Sequence, residues 1–247
     1  MLIADDSIMV TEKKIAIMQP YFFPYLGYFQ LIAASDFFIF LDDVQYIKRG
    51  WINKNKINTK HGEVFFTIPI KKASLENKIN ETLCTDLLIW KKKFFKTLEI
   101  NYSSKKHDMN FLYFLKENLI PQTQIEPTIS DISIHSIELV LRYLDIEFNY
   151  EKSSNIDKDS EKKGTERIIS IVKKNQGTKY INLPGGKDIY KKSLFKHNGL
   201  GLNFIDPSAA KTTTSNEIKN ASIIDTIMLF GKEKPRELIL NYSLTEA

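Results

Sequence analysis

Short all-apolar runs and longer segments of helical spacing alternate along this chain. Ile15-Ala16-Ile17 has no polar interruption, as expected of a strand buried on both faces. Met18-Gln19-Pro20-Tyr21-Phe22-Phe23-Pro24 follows, and then an apolar segment from Leu26 to Ala34. Proline suits the first position of a helix, so the pattern predicts a helix beginning at Pro24. A second apolar run, Phe37 to Leu41, ends in Asp42-Asp43. Strand, loop, helix, strand is one unit of a parallel α/β sheet. In such sheets ligands bind beyond the carboxyl ends of the strands, which directs attention to residues 19–27 and 42–48.

Further on, the polar stretch 45–58, punctuated by Trp51, reads as a binding loop. Val64 to Ile70 reads as a strand that ends or becomes an edge at Pro69. Leu87, Trp90, Phe94 and Leu98 keep helical spacing, with lysines on the remaining surface. Residues 107–119 predict a second helix closed by Pro121. Ile137, Val140, Leu141 and Leu144 mark a third. Thr165 is placed to cap a fourth, whose inner face is Ile168, Ile169 and Val172. Strand-like runs return at 179–183, leading into Pro184-Gly185-Gly186, and at 201–205. Ser222-Ile223-Ile224-Asp225 resembles a capping box that opens a last helix stopping near Gly231. Residues 206–220 read as a mobile loop. The expected architecture is a Rossmann-like α/β domain over 15–247, its sheet mostly parallel, with a helical insertion at about 87–147. Residues 1–14 are expected to form a flexible extension.

At 247 residues and 43% hydrophobic, the chain can bury a full core. The formal charge of +5 is mild, and lysine pairs such as Lys71-Lys72 and Lys173-Lys174 look scattered rather than gathered into one stripe. That pattern argues against a nucleic-acid partner and fits a small anionic substrate. A single cysteine, Cys84, excludes an internal disulfide and a cysteine-based zinc cluster. The histidines at 61, 107, 135 and 197 lack metal-ligand spacing, so no metal site is expected. No apolar run is long enough to span a bilayer and no signal pattern opens the chain, so a cytoplasmic protein without membrane insertion is expected. Serine-hydrolase elbow, P-loop and Gly-x-Gly-x-x-Gly patterns are all missing from the sequence.

Two clusters could carry chemistry. In the first, Tyr25-Leu26-Gly27-Tyr28 stands where adenylate-transferring Rossmann enzymes carry His-x-Gly-His. Gly27 would let a nucleotide approach the helix backbone, but tyrosines offer no imidazolium charge. Packing and ligand contact account equally well for the tyrosines taken alone, whereas Gln19 and two prolines in the same loop favour a ligand site. The second cluster is Asp42-Asp43 with Gln45, Lys48, Arg49, Trp51, Asn53 and Lys54. A carboxylate there can bind a sugar hydroxyl or act as a base. Lys48 and Arg49 suit a diphosphate, and Trp51 suits a base or sugar face. Gly185 and Gly186 form a weaker third candidate, a phosphate or substrate loop.

Residues 17–28 and 42–53 closely resemble the signature of the WbqC-like family, with fainter echoes at Trp90, 184–190 and 222–231. Members of that family are often encoded among bacterial O-antigen genes. The resemblance implies a transferase that places an amino acid such as glycine, or a related acyl group, on the amine of a dTDP- or UDP-linked amino sugar. The donor would be a phosphopantetheine thioester, on a carrier protein or coenzyme A, or an adenylate made from ATP. No tightly bound cofactor is expected. The family's motif positions carry over as Gln19, Tyr21, Tyr25, Gly27, Tyr28, Asp42, Asp43, Gln45, Lys48, Trp51 and Asn53. For amide formation, Asp43 or Asp42 is the expected base and Asn53 or Lys48 the oxyanion stabiliser. The helix start at 25–28 would hold a phosphate or the pantetheine chain. Two alternatives remain open: a nucleotidylyltransferase-like enzyme that activates its substrate with ATP, and a non-catalytic sugar-nucleotide-binding accessory protein.

Overall fold

The computed structural model describes residues 12–72, 76–103, 107–120, 126–156, 162–206 and 221–247. The expected mobile loop at 206–220 falls almost wholly outside them, as do Pro121 and most of the N-terminal extension.

The all-apolar runs become the centre of a six-stranded sheet. β1 (Lys14–Met18) pairs in parallel with β2 (Phe37–Phe40) on one side and with β6 (Lys179–Asn182) on the other. β5 (Tyr150–Lys152) extends the sheet beyond β2, and β7 (Gly201–Ile205) extends it beyond β6, both in parallel. β8 (Leu244–Glu246) closes the far edge antiparallel to β7. The spatial order is β5-β2-β1-β6-β7-β8. The chain therefore lays strands outward in one direction from β1, then restarts on its other side at β6. This is the Rossmann-like arrangement, with its reversal point between β1 and β6.

Both faces of this sheet are covered, which is why its strands read as unbroken apolar runs. Ala16, Phe38 and Phe40 enter one core cluster, while Ile15, Ile17 and Ile39 enter the other. On the first face lie α1 (Leu26–Ala33), α2 (Leu87–Tyr102), α3 (Met109–Asn118), α4 (Ile129–Tyr143), α7 (Ile223–Phe230) and α8 (Glu233–Leu240). On the second lie α5 (Gly164–Lys174) and α6 (Lys192–His197).

Several local expectations shift. Helix α1 starts at Leu26 with Tyr25 as its N-cap, because Pro24 stays outside to accept a hydrogen bond from Ile223 N–H (3.0 Å). Helix α5 is capped by Lys163, without a side-chain hydrogen bond, rather than by Thr165. The second half of the expected binding loop is a strand. β3 (Lys54–Thr59) forms a hairpin with β4 (Gly62–Thr67), separate from the main sheet, and Gly62 at φ 110 supplies the turn. Its polar sequence, KNKINT, hid it from a periodicity reading. β5, β8, α6 and α8 are short elements of the same kind, defined by their partners more than by their own patterns.

Asp225 is not the acid of a capping box. Its carboxylate accepts from Asn58 N–H of β3 (2.7 Å) and from the Tyr102 hydroxyl of α2, tying three elements together. Burial pushes its pKa up to about 6, against the pull of those two donors.

Candidate functional site

Residues 19–25 cross the carboxyl edge of β1, and their backbone is clamped from four directions. Phe22 N–H donates to Ile52 O (3.1 Å), and Phe23 N–H donates to Ser136 Oγ of α4 (3.1 Å). The Phe23 carbonyl accepts from Asn55 Nδ2 of β3 (2.6 Å) and from Ser222 Oγ at the start of α7 (2.9 Å). The same Asn55 amide reaches Phe22 O (3.1 Å). Phe23 holds φ 42 while completely buried. A left-handed aromatic residue costs about 1–3 kcal/mol and persists only where its surroundings over-determine it. Beneath it, Phe22 meets Phe66 and Trp90 edge-on at 5.8 and 5.7 Å, and Trp90 stacks on Phe94 at 5.0 Å. The loop is thus preorganised, with its two phenylalanines turned inward.

Turned the other way, Tyr21, Pro24 and Tyr25 line an open cavity of about 440 Å³ together with Trp51, Asn55 and Lys56. Its size suits one moiety of a small ligand. Burial raises the pKa of Tyr21, and raises that of Tyr25 to about 12, with Tyr21 adding to the second shift. Both phenols therefore stay protonated near neutral pH and can donate hydrogen bonds. Tyr21 OH at present reaches Gln19 Oε1 at only 3.4 Å. Lys56 is paired with Glu63 at 2.5 Å.

Trp51 is 46% exposed and forms the cavity's outer wall. Lys54 Nζ sits 5.3 Å from its ring and 5.2 Å from that of Phe65. On the Lys54 side opens a second groove of about 420 Å³, bordered by Lys48, Arg49, Lys54, Lys71 and Lys72, with Tyr46 and Asn53 beneath. Among the described residues no carboxylate lines it. The lysine pair Lys71-Lys72, scattered in sequence, joins Lys48 and Arg49 here because β4 runs back alongside β3.

The neighbouring parallel strands β1 and β2 do deliver their trailing loops to the same edge of the sheet. The expected residues nevertheless divide. Tyr21, Tyr25 and Trp51 meet in the aromatic cavity, and Lys48, Arg49 and Asn53 meet in the cationic groove. The others stand apart.

Tyr28 is fully buried, and its hydroxyl donates to Gln19 O (2.8 Å), so it supports the loop from within. Gly27 makes room for a side chain of the protein itself: a Cβ there would lie 2.7 Å from Tyr25 Cε2. Asn53 has both ends of its amide engaged, Nδ2 donating to Ile68 O and Oδ1 accepting from Tyr46 OH, each at 2.8 Å. That engagement uses one of the two amide N–H donors in holding the groove floor. Gln45 is bridged through its backbone to Lys78 and lines neither cavity. Gly185 and Gly186 follow β6 at the same sheet edge but also lie outside both cavities. A Cβ on Gly186 would meet Asn182 Nδ2 at 2.8 Å, so close packing accounts for that glycine.

The aspartate pair is a structural corner. Asp42 is 1% exposed, and its carboxylate accepts from Ser154 N–H (2.9 Å), Ser154 Oγ (2.7 Å) and Ser153 Oγ (3.2 Å). Asp43 accepts from Ser153 Oγ and pairs with Arg167 Nη2 of α5 at 2.5 Å. Burial pulls the Arg167 pKa down, and the charge of Asp42 opposes that shift. Neither aspartate lines the aromatic cavity or the groove, so the expected base role is not supported by position.

Asn55, Lys56, Lys71, Lys72 and Arg167 were not singled out from the sequence. The first two sit on the strand hidden in the polar stretch. The rest are ordinary surface-type residues until their neighbours are known.

Cys84, the single cysteine, is buried, and its thiol is pushed up to about 12 by burial with help from Asp131, so it stays protonated. Among the described residues no group of three or more His, Cys, Asp or Glu side chains could hold a metal ion. No helix of the described residues is long and apolar enough to cross a membrane.

A model of the WbqC-like protein family matches residues 19–237. The chain is also similar to a protein of Mycobacterium tuberculosis titled "Uncharacterized protein Rv1507c". The two are 29% identical over 227 residues, covering 90% of this chain and 96% of that protein. No solved structure matches.

Proposed function

The chain belongs to the WbqC-like protein family, and from that premise and its cavity geometry we propose that it is an N-acyl or N-aminoacyl transferase acting on a nucleotide-linked amino sugar in surface-polysaccharide assembly. The observation that carries this reading is one juxtaposition. An aromatic-walled cavity (Tyr21, Tyr25, Trp51) opens beside a cationic groove, and the Trp51–Lys54 contact joins them. A flat ring next to a charged diphosphate has this same polarity.

The chemistry moves from the aspartates to the cavity. The acceptor's neutral amine attacks the thioester carbonyl carbon, and the carbonyl becomes an oxyanion. Tyr21 OH, held only by a 3.4 Å contact to Gln19 Oε1, is the donor proposed to hold it, with the Lys56 ammonium sharing its contact to Glu63 as the second. The C–S bond then breaks, and the departing thiolate takes the proton released by the new amide nitrogen. That balance requires no carboxylate base.

The test is to incubate the full chain with dTDP- or UDP-linked amino sugars and with glycyl- or acyl-loaded carrier protein or coenzyme A, following the sugar by mass spectrometry. A mass gain equal to the acyl group is expected, with loss of turnover in Tyr21→Phe and Lys56→Met. If no donor gives product while the sugar nucleotide still binds, the accessory-protein reading replaces this one. That second reading is favoured by one observation, the complete engagement of both aspartates in structural contacts. ATP remains the alternative donor, and it predicts Mg²⁺-dependent release of pyrophosphate.

A further inference from the structure

We infer that the groove bordered by Lys48, Arg49, Lys54 and Lys71-Lys72 is a binding site for a pyrophosphate diester. The assignment rests on the reading above that the adjoining aromatic cavity takes the neutral part of the same ligand. Five cationic side chains surround a volume of about 420 Å³ that no acidic side chain among the described residues lines. Lys71 pairs with Glu126 at 2.7 Å, and among the described residues no acidic group pairs with Lys48, Arg49, Lys54 or Lys72. Unneutralised charge at this density repels itself, and a doubly charged anion relieves that repulsion.

The floor is rigid. Tyr46 OH donates to Asn53 Oδ1, Asn53 Nδ2 donates to Ile68 O, and Ile68 N–H donates back to Asn53 O, each at 2.8 Å. Arg49 is held at φ 66, a left-handed backbone that arginine seldom adopts, within the turn closed by Gly50 N–H on Ile47 O (3.2 Å). That turn sets the direction in which the guanidinium leaves the backbone. A guanidinium fork beside ammonium point charges is the donor set that bridging phosphates select. Lys54, shared between the rings of Trp51 and Phe65, marks where the charged half of the ligand would give way to its flat half.

Two ligands of the proposed reaction carry a pyrophosphate diester, the sugar nucleotide and coenzyme A. Titration calorimetry on the full chain at low ionic strength, with inorganic pyrophosphate, dTDP-glucose and coenzyme A in turn, separates them. Pyrophosphate is expected to bind, more weakly as salt is raised. The variant Arg49→Asn/Lys54→Gln, in which Asn keeps the left-handed backbone, is expected to lose about tenfold or more of that affinity. Lys92→Ala on the exposed face of α2 is expected to lose none. Whichever organic ligand loses affinity in step with pyrophosphate is the groove's natural source of the group. Absence of pyrophosphate binding, or equal binding by the double variant, overturns the inference. If dTDP-glucose and coenzyme A both bind the double variant undiminished, the groove assignment falls while the proposed function stands. If pyrophosphate binds and responds to the variant but neither dTDP-glucose nor coenzyme A binds, the groove stands and the proposed function falls.

Discussion

The acidic corner at Asp42-Asp43 and the aromatic cavity at Tyr21, Tyr25 and Trp51 grow from neighbouring parallel strands and reach the same edge of the sheet. They could hardly differ more in what they leave unspent. Each Asp42 oxygen already accepts a short hydrogen bond from Ser154, and Asp43 is held by Arg167 and Ser153. The cavity's backbone is just as tightly held, yet its tyrosine and tryptophan faces open to solvent space. Carboxylates at the end of a β-strand are therefore not a site by position alone. What separates a joint from a binding surface is whether its donors and acceptors are already matched within the protein.

That contrast can be broken most sharply at Asp42. Asp42→Ala removes the acceptor of Ser154 N–H and Ser154 Oγ, leaving Ser153 Oγ on Asp43, and should lower unfolding free energy by about 3 kcal/mol, read as a fall in the urea midpoint. Ligand affinity of the folded fraction should be unchanged. A variant as stable as the parent would mean the corner is not structural. Arg167→Ala should cost about 2 kcal/mol, less than breaking a fully buried pair, because both side chains keep some contact with water. In a double-mutant cycle, Asp43→Asn combined with Arg167→Ala should cost clearly less than the two single changes added together.

On the cavity side the readout changes from stability to binding. Trp51→Ala removes a half-exposed ring, so stability should move by less than about 1 kcal/mol. Sugar-nucleotide affinity should fall about tenfold, the usual worth of one stacked base or ring. If Trp51→Ala unfolds the protein instead, the cavity is as structural as the corner. The smallest effect belongs to Gly27→Ala. A helix gains up to about 1 kcal/mol from this exchange, but the new methyl lies 2.7 Å from the Tyr25 ring, which has to move. Net stability should stay near that of the parent, while affinity drops a few-fold as the displaced ring narrows the cavity; calorimetry and thermal melting together check both halves.

Much of the frame is visible in the linear pattern. β1 and β2 are unmistakable as apolar runs because both faces of the sheet are covered, and α4 announces itself through the apolar stripe of Ile137, Val140 and Leu141. Strand β3 is not visible, since Lys54, Lys56 and Asn58 look like loop residues until β4 pairs with them. The cationic groove was hidden for a related reason. Lys48-Arg49 and Lys71-Lys72 lie far apart in sequence, and only the hairpin's return brings them to one rim. Gly27 could be recognised as a position needing close approach, but not that the approaching group is Tyr25 of the same loop.

Local chemistry, taken by itself, determined where the central strands β1, β2, β6 and β7 run and that the loops after β1 and β2 carry the informative aromatic and basic residues. These follow from periodicity and backbone preference, which act over a few residues. Only the folded chain decided which polar groups are already satisfied, because the partners of Asp42, Asp43 and Asn53 (Ser153, Ser154, Arg167 and Ile68) come from elsewhere along the chain. A hydrogen bond across the fold leaves no trace in the spacing of either partner, so the difference between a spent carboxylate and an open aromatic wall exists only in three dimensions.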